Sequence, residues 1–270
     1  MATTTAERRT TTAMDLPVVY LAPDQPLAEV FVHLDGWEQL NEAMRALAGD
    51  RAQPRLAYAY ELPGENRLLC KLVLDVTAGA DEAALARALG AVRGLQVISI
   101  QPPAEAGLTF SELQRPGLIG TPAAIFGRPV IGSLTRGVIE DRGEAGERLL
   151  AERGREAGRL AASSLPPLLE RLGITITDDL LARRVSDLQV MGWATVERAS
   201  VEDSARGEVT LVDTFEAGPW EGRADSPTCH FIRGFITGVF SFAWDAAVTC
   251  REHECQGTGA PACRFAFQLT

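Results

Sequence analysis

Hydrophobic positions along the chain recur with two periods, and the order in which the periods alternate outlines its elements. "LAYAYEL" and "RLLCKLVLDV" are β-rich runs separated by the turn signal "PGEN". "ADEAALARALGAV" then places Leu85, Leu89 and Val92 on one helical face, and "LQVISIQPP" is a short strand ended by two prolines. Ahead of these, "DGWEQLNEAMRALAG" reads as a helix with an Asp cap and a Gly stop. The first strand is either "PVVYL" or "EVFVHL". Residues 15–102 therefore read as βαββαβ, a ferredoxin-like domain similar to ACT regulatory domains. Residues 1–14 form a polar, Thr-rich, disordered tail, and the prolines at 102, 103, 116 and 122 mark residues 103–117 as a linker.

From residue 118 to 270 the periods come in another order. "SLTRGVIEDRGEAGERLLAERGREAGRLAASSL" is helical throughout, with Gly154 and Gly158 four apart where a neighbouring element can approach closely. "PPLLERLGI" and "TDDLLARRVSDL" are shorter helices, the second capped by Thr177. "LQVMGWATVERASVED" and "GEVTLVDTFEAG" alternate as strands. "SPTCHFIRGFITGVFSFAWD" is a helix with Ser226 as cap and Pro227 at its first position, running to Phe242. "AAVTCRE" and "CRFAFQL" close the chain as a hairpin. The fold class is α+β in both halves.

Composition narrows the function. The formal net charge is -10, and the arginines between 142 and 159 are interleaved with glutamates, so the chain lacks the basic surface that nucleic acid demands. No apolar run is long enough to span a membrane or to serve as an export signal, which predicts a cytoplasmic protein whose thiols stay reduced. No nucleophile elbow, P-loop, dinucleotide fingerprint or HExxH helix is present.

Chemistry concentrates at "CREHECQGTGAPAC", residues 250–263, which holds three of the five cysteines. A disulfide framework conflicts with a reducing location, leaving a metal site or a set of buried thiols. Cys255 and Cys263 flank a Gly/Pro-rich loop that can turn both sulfurs to one point, with Glu252 just before it. Cys229, in the first turn of a helix, is placed for the fourth position, where the helix dipole favours a thiolate. Three thiolates and a carboxylate make a soft, closed, four-coordinate set suited to zinc. Cys250, His253, Glu254 and His230 compete for individual positions, and Cys70 is a buried thiol in the other half.

The pattern Cys229-x22-Glu252-x2-Cys255-x7-Cys263-x-Phe265 resembles the 4-vinyl-reductase, or hydrocarbon-binding, domain family, which includes the sensor domains of phenol- and xylene-responsive activators. The resemblance extends upstream through "GEVTLVDTFEAG" and "ERLLAERGREAGRLAASS", over about residues 118–270. It implies a structural zinc ion on Cys229, Glu252, Cys255 and Cys263, with Cys250 outside the site, and a hydrophobic pocket between helices and sheet. Trp193, Phe231, Phe235, Ile236 and Val239 are the residues expected to line that pocket. The function expected is a sensor for a small hydrophobic or aromatic ligand, in a homodimer acting through partners rather than on DNA or membranes. An accessory role in tetrapyrrole metabolism and a ligand-free dimerisation module are the alternatives.

Overall fold

The computed structural model describes residues 19–49, 51–61, 66–103, 106–110, 117–118, 121–122, 126–164, 166–173 and 175–270. The Thr-rich tail and most of the "PGEN" turn lie outside these residues. The protein is α+β, with two antiparallel sheets of more than two strands among the described residues. It divides into two compact units, residues 12–123 and residues 124–270.

The first unit runs β1 (Val19–Leu34), α1 (Trp37–Gly49), β2 (Gln53–Glu61), β3 (Leu68–Asp75), α2 (Glu82–Gly90), β4 (Leu95–Gln101) and β5 (Ala106–Phe110). The sheet order is β2-β3-β1-β4, and every pairing is antiparallel. Alternation decides which face is buried. Val30, Val32 and Leu34 of β1 and Leu72 and Leu74 of β3 pack with Leu85 and Leu89 of α2 and Leu47 of α1. Asp81 caps α2, its Oδ1 accepting the Ala84 N–H at 2.7 Å.

Both segments considered for the first strand belong to one strand of 16 residues. Its second half pairs with β3 and β4, and its first half pairs with β5, which occupies residues expected in a linker. The backbone groups of that long first half require a partner, and β5 supplies it. A two-residue ladder, β6 (Gly117–Leu118) with β7 (Thr121–Pro122), follows.

The second unit runs α3 (Arg128–Arg142), α4 (Glu144–Ser163), α5 (Pro166–Leu172), α6 (Asp178–Arg184), α7 (Asp187–Val190), β8 (Thr195–Glu202), β9 (Arg206–Val212), α8 (His230–Ala243), β10 (Val248–Glu254) and β11 (Cys263–Leu269). The sheet order is β10-β11-β9-β8, all antiparallel. Ile232, Ile236 and Phe240 of α8 are buried in one core with Val209, Leu211, Phe265 and Phe267 of the sheet. Phe240 stacks on Phe267 with ring centroids 4.0 Å apart.

Glycines set how closely α4 and α8 approach. A Cβ added at Gly154 or Gly158 would lie 2.1 or 2.2 Å from the carbonyl oxygen of Phe231 or Phe235. One added at Gly234 or Gly238 would lie 2.1 Å from that of Ala151 or Arg155. The two backbones are in mutual contact, a distance only glycine permits.

Three boundaries differ from the sequence expectation. The long helical pattern breaks at Gly143, whose φ of 54° and ψ of -136° end α3 and start α4. Strand β8 begins at Thr195, so Met191 and Trp193 precede the strand in the turn after α7 rather than lying on it. Helix α8 begins at His230, not at Pro227, because the N–H groups of Thr228 and Cys229 are held by Cys255 and Glu252.

Candidate metal centre and aromatic cluster

Cys229, Glu252, Cys255 and Cys263 converge, their ligand atoms all lying within 4.8 Å of one another. Cys229 is the N-cap residue of α8, Glu252 is on β10, Cys255 starts the turn after it, and Cys263 opens β11. The hairpin register folds the Gly/Pro-rich turn back so that Cys255 and Cys263 meet, and α8 lowers its first residue onto them. The Sγ–Sγ separations are 3.6 Å for Cys229–Cys263 and 4.0 Å for Cys255–Cys263. These are far beyond a disulfide bond. They bracket the edge of about 3.8 Å of a tetrahedron with metal–sulfur distances of about 2.3 Å.

All three sulfurs are fully buried and each receives polar hydrogens. The Thr228 N–H donates to Cys255 Sγ at 3.4 Å, and the Gln256 N–H donates to Cys263 Sγ at 3.3 Å. The Thr214 hydroxyl lies 3.4 Å from Cys229 Sγ and 3.9 Å from Cys263 Sγ. Glu252 accepts the Cys229 N–H through Oε2 at 3.2 Å, while its buried Oε1 has no hydrogen-bond partner. An orphaned carboxylate oxygen beside three sulfurs is what a four-ligand site leaves when the cation is not counted.

The electrostatics point the same way. Burial pushes the Cys229 thiol well above its ordinary range, outweighing the helix-terminus effect expected from the sequence. Burial also pushes the Glu252 carboxyl up, with Cys255 adding to the effect. The Cys255 thiol is pulled down, first by its contacts with Cys229 and Cys263. On its own the cluster favours one anion among four groups. A divalent cation would supply the charge that lets all four ionise, so the donor set fits a metal ion.

The rivals for these positions are placed elsewhere. Cys250 is half-buried on β10 and lies outside the group of four, and Cys70 is buried in the core of the first unit. His230 is buried, its Nδ1 3.2 Å from Arg233 Nη2 and its Nε2 3.9 Å from Glu147 Oε1. Burial lowers its pKa to about 4, with the Arg233 charge adding to this, which keeps the ring neutral.

The residues expected around a ligand separate into two sets. Trp193, Phe231 and Phe235 come together, with Trp193 edge-on to Phe231 at 5.5 Å and to Phe235 at 5.2 Å between centroids. Phe215 completes the group, 5.9 Å from Trp193 and 6.2 Å from Phe231. Ile236 instead points into the buried core, and Val239 packs partly buried at its margin. Open cavities of about 210 and 490 Å³ lie along the opposite flank of α8, where Arg155, Arg159, Arg233 and Thr237 contribute to the walls. None of the five expected residues lines either of them.

Sequence reading passed over Thr214, Thr228 and Glu216. Glu216 is 1% exposed and accepts the Phe231 and Ile232 N–H groups at 2.9 and 2.8 Å, satisfying the start of α8. Burial pushes its carboxyl up to about 8. An acid in "TFEAG", between an apolar strand and a buried turn, was the available signal.

Residues 209–269 match the vinyl-4-reductase (V-4-R) domain, so the family resemblance holds for the segment carrying all four clustered residues. Three solved structures are similar to this chain. The phenol-responsive sensory domain of the transcription activator PoxR, crystallised with phenol, is 21% identical, covers 55% of this chain and 77% of its own, and has a TM-score of 0.48. A vinyl-4-reductase family protein from Methanocaldococcus jannaschii is 18% identical over 55% and 84%, with a TM-score of 0.36. A trafficking protein particle complex subunit 3 from Naegleria fowleri, covalently bound to palmitic acid, is 14% identical over 53% and 92%, with a TM-score of 0.37. No match is found among curated protein sequences.

Proposed function

We propose that the second unit is a sensory module that binds a small hydrophobic or aromatic molecule and is stapled by one structural zinc ion. The observation that supports it best is on helix α8. Its cap residue, Cys229, belongs to the four-residue cluster, and its first two turns carry Phe231 and Phe235 of the aromatic cluster. The soft sulfur-rich donor set selects zinc over the hard cations. Zinc on four protein ligands has no open position for water, so its contribution is to hold the helix start against the β10–β11 hairpin. Trp193, Phe231, Phe235 and Phe215 then offer flat apolar surfaces suited to an aromatic ring. Because those rings already touch, a ligand gains entry by displacing one of them. Trp193 and Phe231, both only partly buried, stand on the accessible side.

A thermal-shift screen with phenol, alkylbenzenes, fatty acids and porphyrins tests the ligand reading. A compound present at a hundred times its dissociation constant stabilises the protein by about 2.7 kcal/mol. Phe235→Ala should weaken that response to an aromatic ligand. Absence of any shift across the panel would overturn the reading in favour of a packing or dimerisation module. A shift by porphyrins alone would favour the tetrapyrrole alternative.

A further inference from the structure

Between the end of β9 and the turn at Gly218–Trp220, three consecutive residues touch three different parts of the unit. The Thr214 hydroxyl contacts Cys229 and Cys263 Sγ at 3.4 and 3.9 Å. The Phe215 ring packs edge-on to Trp193 and Phe231, and its N–H donates to the Trp193 carbonyl at 2.9 Å. The Glu216 carboxylate holds the Phe231 and Ile232 N–H groups at the start of α8.

Helix α3 clamps the same segment from outside. Arg128 Nη1 donates to the Asp213 carbonyl at 2.7 Å, and Arg136 Nη1 donates to the Pro219 carbonyl at 2.8 Å. Between them, Gly132 lies so close that a Cβ there would be 2.3 Å from the Phe215 carbonyl oxygen. The segment therefore has no slack. Adjacent Cα atoms sit about 3.8 Å apart, so a shift of Phe215 is felt at Thr214 and Glu216, and close-packed surroundings transmit it rather than absorb it.

We infer that Thr214–Glu216 is a coupling element, through which the packing of the aromatic cluster and the occupancy of the metal centre set each other's free energy. The coupling is reciprocal: displacement of Phe215 changes metal retention, and metal removal changes the surroundings of Trp193. This inference rests on the zinc reading above.

Zinc release from the full chain to a colorimetric chelator, followed in time, tests it. Phe215→Leu removes the ring without touching a metal ligand and should speed release by at least about five-fold, the low end of typical coupling. Phe267→Leu perturbs the same core where Phe267 stacks on Phe240, and should leave the rate near wild type. A second measurement needs no change in the cluster. With Trp37, Trp220 and Trp244 replaced by Phe, chelation should shift the Trp193 emission while far-UV circular dichroism stays constant.

Equal release rates for Phe215→Leu and Phe267→Leu, or an unchanged Trp193 emission, would overturn the coupling alone. A protein that carries no zinc and takes none up would overturn the metal reading and this inference with it.

Discussion

Adding a single methyl group to the α4–α8 seam, by Gly234→Ala, should cost far more than its size suggests. The new Cβ would stand 2.1 Å from the Ala151 carbonyl oxygen, 2.9 Å from its carbon and 3.0 Å from the Arg155 nitrogen. All three are backbone atoms, so no side chain can rotate away. Ordinary contact begins near 3.4 Å, and reaching it requires the two helices to part by more than 1 Å. Overpacking of this kind costs about 1–3 kcal/mol, and a rigid backbone clash belongs at the upper end. Replacing Gly by Ala inside a helix returns about 1 kcal/mol of propensity. The net loss is about 2 kcal/mol, a fall of roughly 4–8 °C in Tm. Gly137→Ala is the control, since its Cβ would meet nothing within 4 Å inside α3. That change should raise stability by up to about 1 kcal/mol. Urea unfolding of both variants gives the comparison. If Gly234→Ala is as stable as wild type while Gly137→Ala behaves as expected, the interlocked-backbone account of α4 and α8 is wrong.

Thr177→Ala should lower stability by about 1 kcal/mol, because the Thr177 hydroxyl caps α6 by accepting the Leu180 N–H at 3.2 Å; chemical denaturation reads this directly. Asp75 is held at a pKa of about 2 by the Thr77 hydroxyl and N–H and by Arg55 at 2.6 Å. Its folded value lies below the unfolded one of about 3.9, so its contribution is complete above about pH 4 and is lost as pH falls through about 2. Acid titration of the unfolding transition should therefore be flatter over that window in Asp75→Asn. Chelation of a zinc held a thousand-fold above its dissociation constant removes about 4 kcal/mol and should drop Tm by roughly 8–16 °C, with recovery on adding zinc back.

Much of this organisation was legible because it is periodic or local. Alternation gave the strands β3, β9 and β11, and the Asp81 and Thr177 caps read directly from their positions before apolar helical runs. The four clustered residues were legible from spacing joined to resemblance, since the hairpin that unites three of them is short in sequence. What escaped was set by tertiary contact. The start of α8 moved because two of its N–H groups serve Cys255 and Glu252 instead of the helix. The buried Glu216 satisfies that helix from 15 and 16 residues away, a relation no local pattern encodes. Phe215, which completes the aromatic cluster, stood in the sequence as one more apolar residue after a strand.

Native mass spectrometry of the protein purified without added metal tests the central claim most directly. One zinc ion per chain is expected in the wild type and in Cys250→Ser, and its loss is expected in Cys263→Ser and Cys229→Ser. A wild-type spectrum free of metal, with Cys229, Cys255 and Cys263 all titrating as thiols in the folded protein, would contradict the account. Retention of zinc by Cys263→Ser alongside its loss from Cys250→Ser would contradict it equally, by showing that another set of ligands holds the ion.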